Sequence, residues 1–177
     1  MHFRHIALLV VAAGVIPLAR AQKVDEYQVK GAFVFNFAKF VQWPTEAFKT
    51  PSDSLVICVL GQDQIASALR ELVSRSSING RSGTVRQLAD GQAASGCHIL
   101  FVGPSQSKRF RSSLGNLTWT LIVGETPGFA TNGGVINFKL EDGKVRFEIN
   151  ASAAEHEQFH ISSKLLSLAQ IVKSETP

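Results

Sequence analysis

A chain of 177 residues with 18 Lys and Arg against 14 Asp and Glu carries a formal net charge of +4. Arg4 and Arg20 lie in its first 21 residues, a stretch without Asp or Glu; setting that stretch aside leaves 16 basic against 14 acidic residues, a net of +2. So small an excess is no argument for nucleic-acid binding, and the remaining 156 residues suffice for one domain with a core of its own.

Met1–Ala21 reads as a secretory signal. Arg4 supplies the positive start, Ile6–Leu18 the apolar stretch, and Ala19-Arg20-Ala21 an A-x-A cleavage site that puts the mature start at Gln22. The apolar stretch is too short, and too soon followed by Arg20, for a good membrane span; a retained anchor is the competing reading. No later stretch approaches ~18 apolar residues, so the mature protein, residues 22–177, is expected to be a soluble single domain.

Val29–Trp43 (VKGAFVFNFAKFVQW) is strongly aromatic. Phe33, Phe37, Phe40 and Val41 fall at helical spacing, while Phe33, Phe35 and Phe37 also alternate as a strand would. Length favours a helix, ended by Trp43-Pro44 because the residue before a proline leaves the α region. A helix apolar over so much of its girth is expected to be covered on more than one side; an exposed aromatic face for a partner is the alternative. Leu55–Leu60 (LVICVL) reads as a strand buried on both faces. Asp63 can cap the next helix, whose Ile65, Leu69, Leu72 and Val73 make one apolar stripe. Asn79-Gly80 then turns the chain toward Val85–Leu88, a weaker strand expected at an edge.

Cys97–Val102 (CHILFV) repeats the buried-strand pattern, Ser105–Leu114 is a short helix, and Trp119–Val123 is a third buried strand. Lys108-Arg109-Phe110-Arg111 is read as a solvated helix face rather than a phosphate or lipid site. Next, Val135–Leu140 and Lys144–Ile149 flank Asp142-Gly143, a dipeptide suited to a two-residue type I′ turn. That turn sets Leu140 opposite Val145, Phe138 opposite Phe147 and Ile136 opposite Ile149, all on one face. Asn137, Lys139, Arg146 and Glu148 take the other face as a polar ladder. Ser152 and Glu155 have capping-box spacing for a short helix, which Phe159–Ile161 break. A last helix from Ser162 or Ser163 carries a stripe of Leu165, Leu168, Ala169 and Val172. The expected fold is α/β: a single-layer, mixed, largely parallel sheet of about six strands flanked by helices and closed by the antiparallel hairpin.

Catalytic chemistry is hard to find in this sequence. Gly61, Gly103 and Gly124 follow the three buried strands, making the carboxyl edge of the sheet one candidate cleft. No G-x-G-x-x-G, P-loop or G-x-S-x-G accompanies them. His156 and His160 stand four apart, but the intervening chain looks non-helical and no third metal ligand is evident. Glu155 and Glu157 point to opposite sides of any helix. The protein is therefore read as no enzyme, with no metal and no cofactor. Two cysteines, Cys58 and Cys97, in an exported chain suggest a disulfide; two buried free thiols are the alternative. Phe37, Trp43, Phe129, Phe138 and Phe147 are candidates to line an aromatic pocket, with Asn137, Glu148 and Asn150 as polar points; plain core is the competing role.

Together VKGAFVFNFAKFVQWP, ICVLG, CHILFVG, GFATNGGVINF, FEIN and ISSKLLSLAQIV, in this order and rough spacing, resemble the YfiR-like family of exported regulatory proteins. The resemblance implies an α/β fold without catalytic activity and a periplasmic location. It implies a regulator that restrains an inner-membrane diguanylate cyclase through the cyclase's periplasmic sensor region, controlling cyclic diguanylate signalling and biofilm formation. The resemblance further implies an outer-membrane OmpA-like lipoprotein that relieves the restraint by capturing the regulator. Members beside or fused to sensor histidine kinases make such a kinase, served by a small-molecule-binding sensory module for an aromatic ligand, the second reading. A homodimer is a further candidate state. The resemblance also strengthens the Cys58–Cys97 bridge, whereas a second bridge of some members has no cysteines here. Carried over by motif, Phe129, Gly133, Gly134, Ile136, Asn137 and Phe138, with Phe147, Glu148 and Asn150, are the implied partner or ligand surface.

Overall fold

The computed structural model describes residues 18–61, 64–110 and 117–174. The expected leader up to Pro17, the Asp63 cap and the second half of the Ser105–Leu114 helix lie outside the described residues. In chain order the elements are α1 (Leu18–Phe40), β1 (Val41–Gln42), a 3-10 turn (Thr45–Ala47), β2 (Leu55–Leu60), α2 (Gln64–Arg75), β3 (Gly83–Leu88), β4 (Ile99–Val102) and α3 (Ser107–Phe110). They continue with β5 (Leu121–Gly124), β6 (Ile136–Glu141), β7 (Lys144–Asn150), α4 (Ala151–His156), β8 (His160–Ile161), α5 (Ser163–Leu166) and β9 (Gln170–Val172). No described helix is long and apolar enough to cross a membrane.

Continuous apolar runs suit strands covered on both faces, and β2, β4 and β5 form the middle of a seven-stranded α/β sheet. Its order is β3-β2-β4-β5-β6-β7-β9. From β3 to β6 neighbours are parallel; β7 turns back antiparallel to β6, and β9 runs parallel to β7. The weak strand Gly83–Leu88 does lie at an edge. β1 and β8 form a separate antiparallel pair, Val41 opposite Ile161 and Gln42 opposite His160.

Hairpin chemistry sets register here as the letters imply. Asp142 and Gly143 both take positive φ, 51° and 72°, as a type I′ turn requires. Ile136 pairs with Ile149, Asn137 with Glu148, Phe138 with Phe147 and Lys139 with Arg146. The apolar face of the hairpin joins the main core, where α1 and α2 cover the sheet and Val34, Phe37, Ile57, Leu69, Phe101, Val123, Phe138 and Phe147 are buried together. α1 crosses α2 so closely at Gly31 that a Cβ there would stand 2.8 Å from Ala68 Cβ. On the opposite side of the sheet a smaller core gathers Cys58, Leu88, Cys97, Leu100, Val102, Ile122 and Phe129. Cys58 and Cys97 are joined there, Cα atoms 5.8 Å apart, closing the 39-residue crossover through α2 and β3. In the chain-entropy model a loop of that length contributes about 4 kcal/mol.

Several expectations need correction. The aromatic helix ends at Phe40 rather than Trp43. Pro44 holds its predecessor extended, and β8 offers Val41 and Gln42 a pairing partner. The last helix stops after one turn, Ser163–Leu166, and residues 170–172 become β9. Gln170, Ile171 and Val172 are taken up by the open side of β7, so tertiary pairing overrides the helical spacing and leaves Leu168 64% exposed. The hairpin therefore does not end the sheet: β9 lies beyond it as a seventh strand, within the expected mixed, largely parallel α/β architecture. α4 is capped by Asn150, whose Oδ1 accepts the Ala153 N–H at 3.0 Å, and not by Ser152.

Candidate functional site

The segment between β5 and β6 is built around one ring. Gly124 ends β5, and Phe129 folds back over it. A Cβ on either Gly124 or Gly134 would come within 2.4 Å of the Phe129 ring, so both glycines are there to admit it. The Phe129 carbonyl accepts the Gly134 and Asn132 N–H groups at 3.0 and 3.3 Å, and Asn132 Nδ2 donates back to the Gly128 carbonyl at 2.8 Å. Gly133, at φ 102°, is exposed at the turn. Thus the carboxyl end of β5, one part of the expected cleft, is filled by Phe129. Between β2 and β4 the ends are closed by Gln106, which approaches Gly61 and donates to Asp90.

Beside this turn lies the polar ladder. Asn137 Nδ2 donates to Glu148 Oε2 at 3.2 Å. Lys139 ion-pairs with Glu141 at 2.6 Å and reaches Glu148 at 3.6 Å; its hydrogen bond to Glu141 raises its pKa above the usual lysine value. Lys139 also donates to Gln170 of β9, and Arg146 is exposed. Asn137 is 2% exposed, and its Oδ1 accepts no hydrogen bond among the described residues. An unsatisfied buried acceptor of this kind costs about 1–3 kcal/mol.

Of the nine residues expected at a partner surface, Phe129, Gly134, Ile136, Asn137, Phe138, Phe147 and Asn150 are buried, Glu148 is half-buried and Gly133 is exposed. Phe138 and Phe147 sit in a four-ring cluster with Phe33 and Phe37, centroids 5.1–6.2 Å apart. Asn150 is a junction: beyond its cap on α4, Nδ2 donates to the Ala130 carbonyl at 2.8 Å and to Ser174 Oγ at 2.9 Å. The five aromatics expected around one pocket do not converge. Phe129 belongs to the smaller core across the sheet from Phe37, Phe138 and Phe147, and Trp43 meets Phe159 edge-on at 5.8 Å. A groove of about 130 Å³ does open elsewhere, lined by Ala151, Ala154, Glu155, Phe159, His160, Ile161 and Leu166.

The sequence profile described as YfiR/HmsC-like matches residues 27–170. The chain belongs to the YfiR/HmsC-like family. No curated protein matches it significantly. The family is one of periplasmic, non-catalytic regulators acting through a membrane signalling partner. In this YfiR/HmsC-like chain the matched segment takes in every described element from the aromatic part of α1 to the first residue of β9.

One charged cluster was not anticipated from the sequence. Lys30 of α1, 4% exposed, donates to Glu26 and to Glu125, the residue that follows β5. The Tyr27 ring lies 5.2 Å from the ammonium. Burial alone would lower the Lys30 pKa, but the two carboxylate hydrogen bonds outweigh it and raise it; burial, reinforced by Glu125, raises that of Tyr27. Glu26 four residues before Lys30 was a legible helix pair, and a lone cation in VKGAFVF was a hint. Glu125 could not be foreseen, because only the fold brings α1 over the end of β5.

Proposed function

We propose that this protein is a periplasmic regulator that binds and restrains an inner-membrane signalling protein, a diguanylate cyclase, through the cyclase's periplasmic region, and so controls cyclic diguanylate output. The observation that carries the reading is the family match together with a sheet half, β6–β7–β9, whose second face presents Lys139, Arg146 and Glu148 rather than apolar core. A restrained cyclase follows if the regulator binds one state of it more tightly than the other. Capture by an OmpA-like outer-membrane lipoprotein would compete for the same regulator. On this reading Met1–Ala21 is removed on export and residues 22–177 act as one domain, alone or as a homodimer.

The partner surface runs from the turn at Gly133 across Glu148 and Arg146. The buried members of the nine serve it from below: Phe129 and Gly134 fix the turn, Ile136, Phe138 and Phe147 hold the hairpin on the core, and Asn150 ties turn to helix. Asn137, itself buried, positions Glu148 from the polar face through its Nδ2 hydrogen bond. Deleting the gene should raise cellular cyclic diguanylate and biofilm; unchanged output would reject the cyclase reading, and a periplasmic pull-down without an inner-membrane sensor would reject the partner reading. The groove at Phe159 supports a second reading, a module sensing a small aromatic ligand for a histidine kinase. At 100 times its dissociation constant such a ligand would add ~2.7 kcal/mol of stability, visible as a thermal shift.

A further inference from the structure

The stretch Val41–Asp53 forms a strap containing β1 and the 3-10 turn, and three side chains pin it. Trp43 Nε1–H donates to the His98 and Trp119 carbonyls at 3.2 and 3.1 Å. Arg81 Nη1 donates to the carbonyls of Thr50, Pro51 and Asp53 at 3.1, 2.8 and 2.9 Å, with its guanidinium 3.8 Å from the Phe48 ring centroid. Between these lies His98, the residue after the disulfide-bonded Cys97. Its ring stacks on Phe48, centroids 4.4 Å apart and planes 15° from parallel. Its Nδ1 accepts the Val56 N–H at 3.0 Å, and its Nε2 is 3.1 Å from the Ala47 carbonyl. Because the Val56 N–H occupies Nδ1, the ring proton belongs on Nε2, where it donates to Ala47.

That arrangement admits only the neutral imidazole. A second proton would have to go on Nδ1, where it meets another N–H. We propose that His98 is an acid-sensitive clasp: its protonation breaks the bond to Val56, frees the Phe48 stack and loosens the strap while the seven-stranded sheet stays folded. Burial, the largest influence, already disfavours the imidazolium, as does Arg81, whereas the Ala47 hydrogen bond and Asp53 act the other way. Glu46 and Lys49, the other charged groups of the strap, are exposed, as is His160, which stands opposite Gln42 across the β1–β8 pair. The sign follows from linkage. A histidine held below its ordinary value near 6.5 favours the closed strap fully above that pH, and the contribution is lost as pH falls through the lowered pKa. The consequence reaches beyond the strap. β1 pairs with β8 and Trp43 touches Phe159, while Phe159, His160 and Ile161 line the 130 Å³ groove. Opening the clasp would therefore reshape that groove.

The two tryptophans of the chain, Trp43 and Trp119, make the test direct. In a Trp119→Phe background of the mature protein, Trp43 emission is followed from pH 7.5 to 5.0 beside far-UV circular dichroism. The clasp gives a red shift with a midpoint below 6.5 and an unchanged dichroism spectrum. His98→Asn, which keeps an acceptor for Val56 but cannot titrate, abolishes the shift, and His160→Asn retains it. No shift, an undiminished shift in His98→Asn, or loss of dichroism in step with fluorescence overturns the proposal. Should His98→Asn fail to fold, NMR of the unsubstituted protein decides. A His98 ring resonance titrating together with the Ala47 and Phe48 amides supports the clasp; titration at the ordinary value, or without those amides, refutes it.

Discussion

In β2, β4 and β5 both sides of the strands are apolar, whereas β6 and β7 are apolar only on the side toward α1. The first half has LVICVL, ILFV and LIVG, the Cys58–Cys97 bridge and no ladder of charge. The second alternates, INFKLE against KVRFEIN, and its outer side carries Lys139, Arg146 and Glu148. The physical lesson is that one continuous sheet can be scaffold at one end and candidate contact surface at the other. The pleat, by alternating side chains, permits the change at a single strand boundary. That boundary is β5–β6, where Phe129 plugs the Gly124–Gly134 gap and Lys30 ties α1 to Glu125.

The sharpest way to break the comparison is at that tie. Lys30→Met removes the buried ammonium that pairs with the Glu125 carboxylate, 5% exposed, and should cost about 3–5 kcal/mol in urea unfolding. Because the Lys30 pKa is raised on folding, its contribution is complete below the unfolded value near 10.4 and fades as pH climbs through the folded one. The unsubstituted protein should accordingly lose stability at strongly alkaline pH by a margin the variant lacks. Phe147→Ala should cost a similar ~3–5 kcal/mol, and Ile136→Ala ~2–5, since both leave cavities in the main core. Removing both Cys58 and Cys97 should cost about 2–5 kcal/mol, and peptide mapping without reductant should show the two segments linked. Gly134→Ala should cost about 1–3 kcal/mol through its clash with Phe129. Smallest in stability is Arg146→Glu, within about 0.5 kcal/mol. It should nevertheless weaken partner binding, as should Asn137→Ala, whose fold is expected to survive.

Much of the scaffold half was legible because apolar runs admit few interpretations, and the hairpin because Asp142-Gly143 and period-two alternation agree. What escaped was set by partners distant in sequence. Leu165, Leu168, Ala169 and Val172 have helical spacing, yet the open side of β7 captures Gln170–Val172 as a strand. Ser152 and Glu155 match a capping box, yet Asn150 is placed one residue before α4 and takes the role. The same limit applied to the site. GFATNGGVINF pointed to a segment, but Phe129 as a plug and Phe138 as core depend on which side of the sheet each ring faces. Nothing in the linear spacing brings Glu125 to Lys30 either.

The central claim is that the polar half of the sheet meets a membrane signalling protein. Placing a photoreactive amino acid at Arg146, and separately at the exposed Arg70 of α2, and crosslinking in the periplasm of the native host tests it most directly. The account predicts that position 146 captures an inner-membrane protein with a periplasmic region and a cyclase or kinase output domain, and that position 70 does not. Capture from position 70 alone, or no such protein from 146 when the folded variant is present, would contradict it.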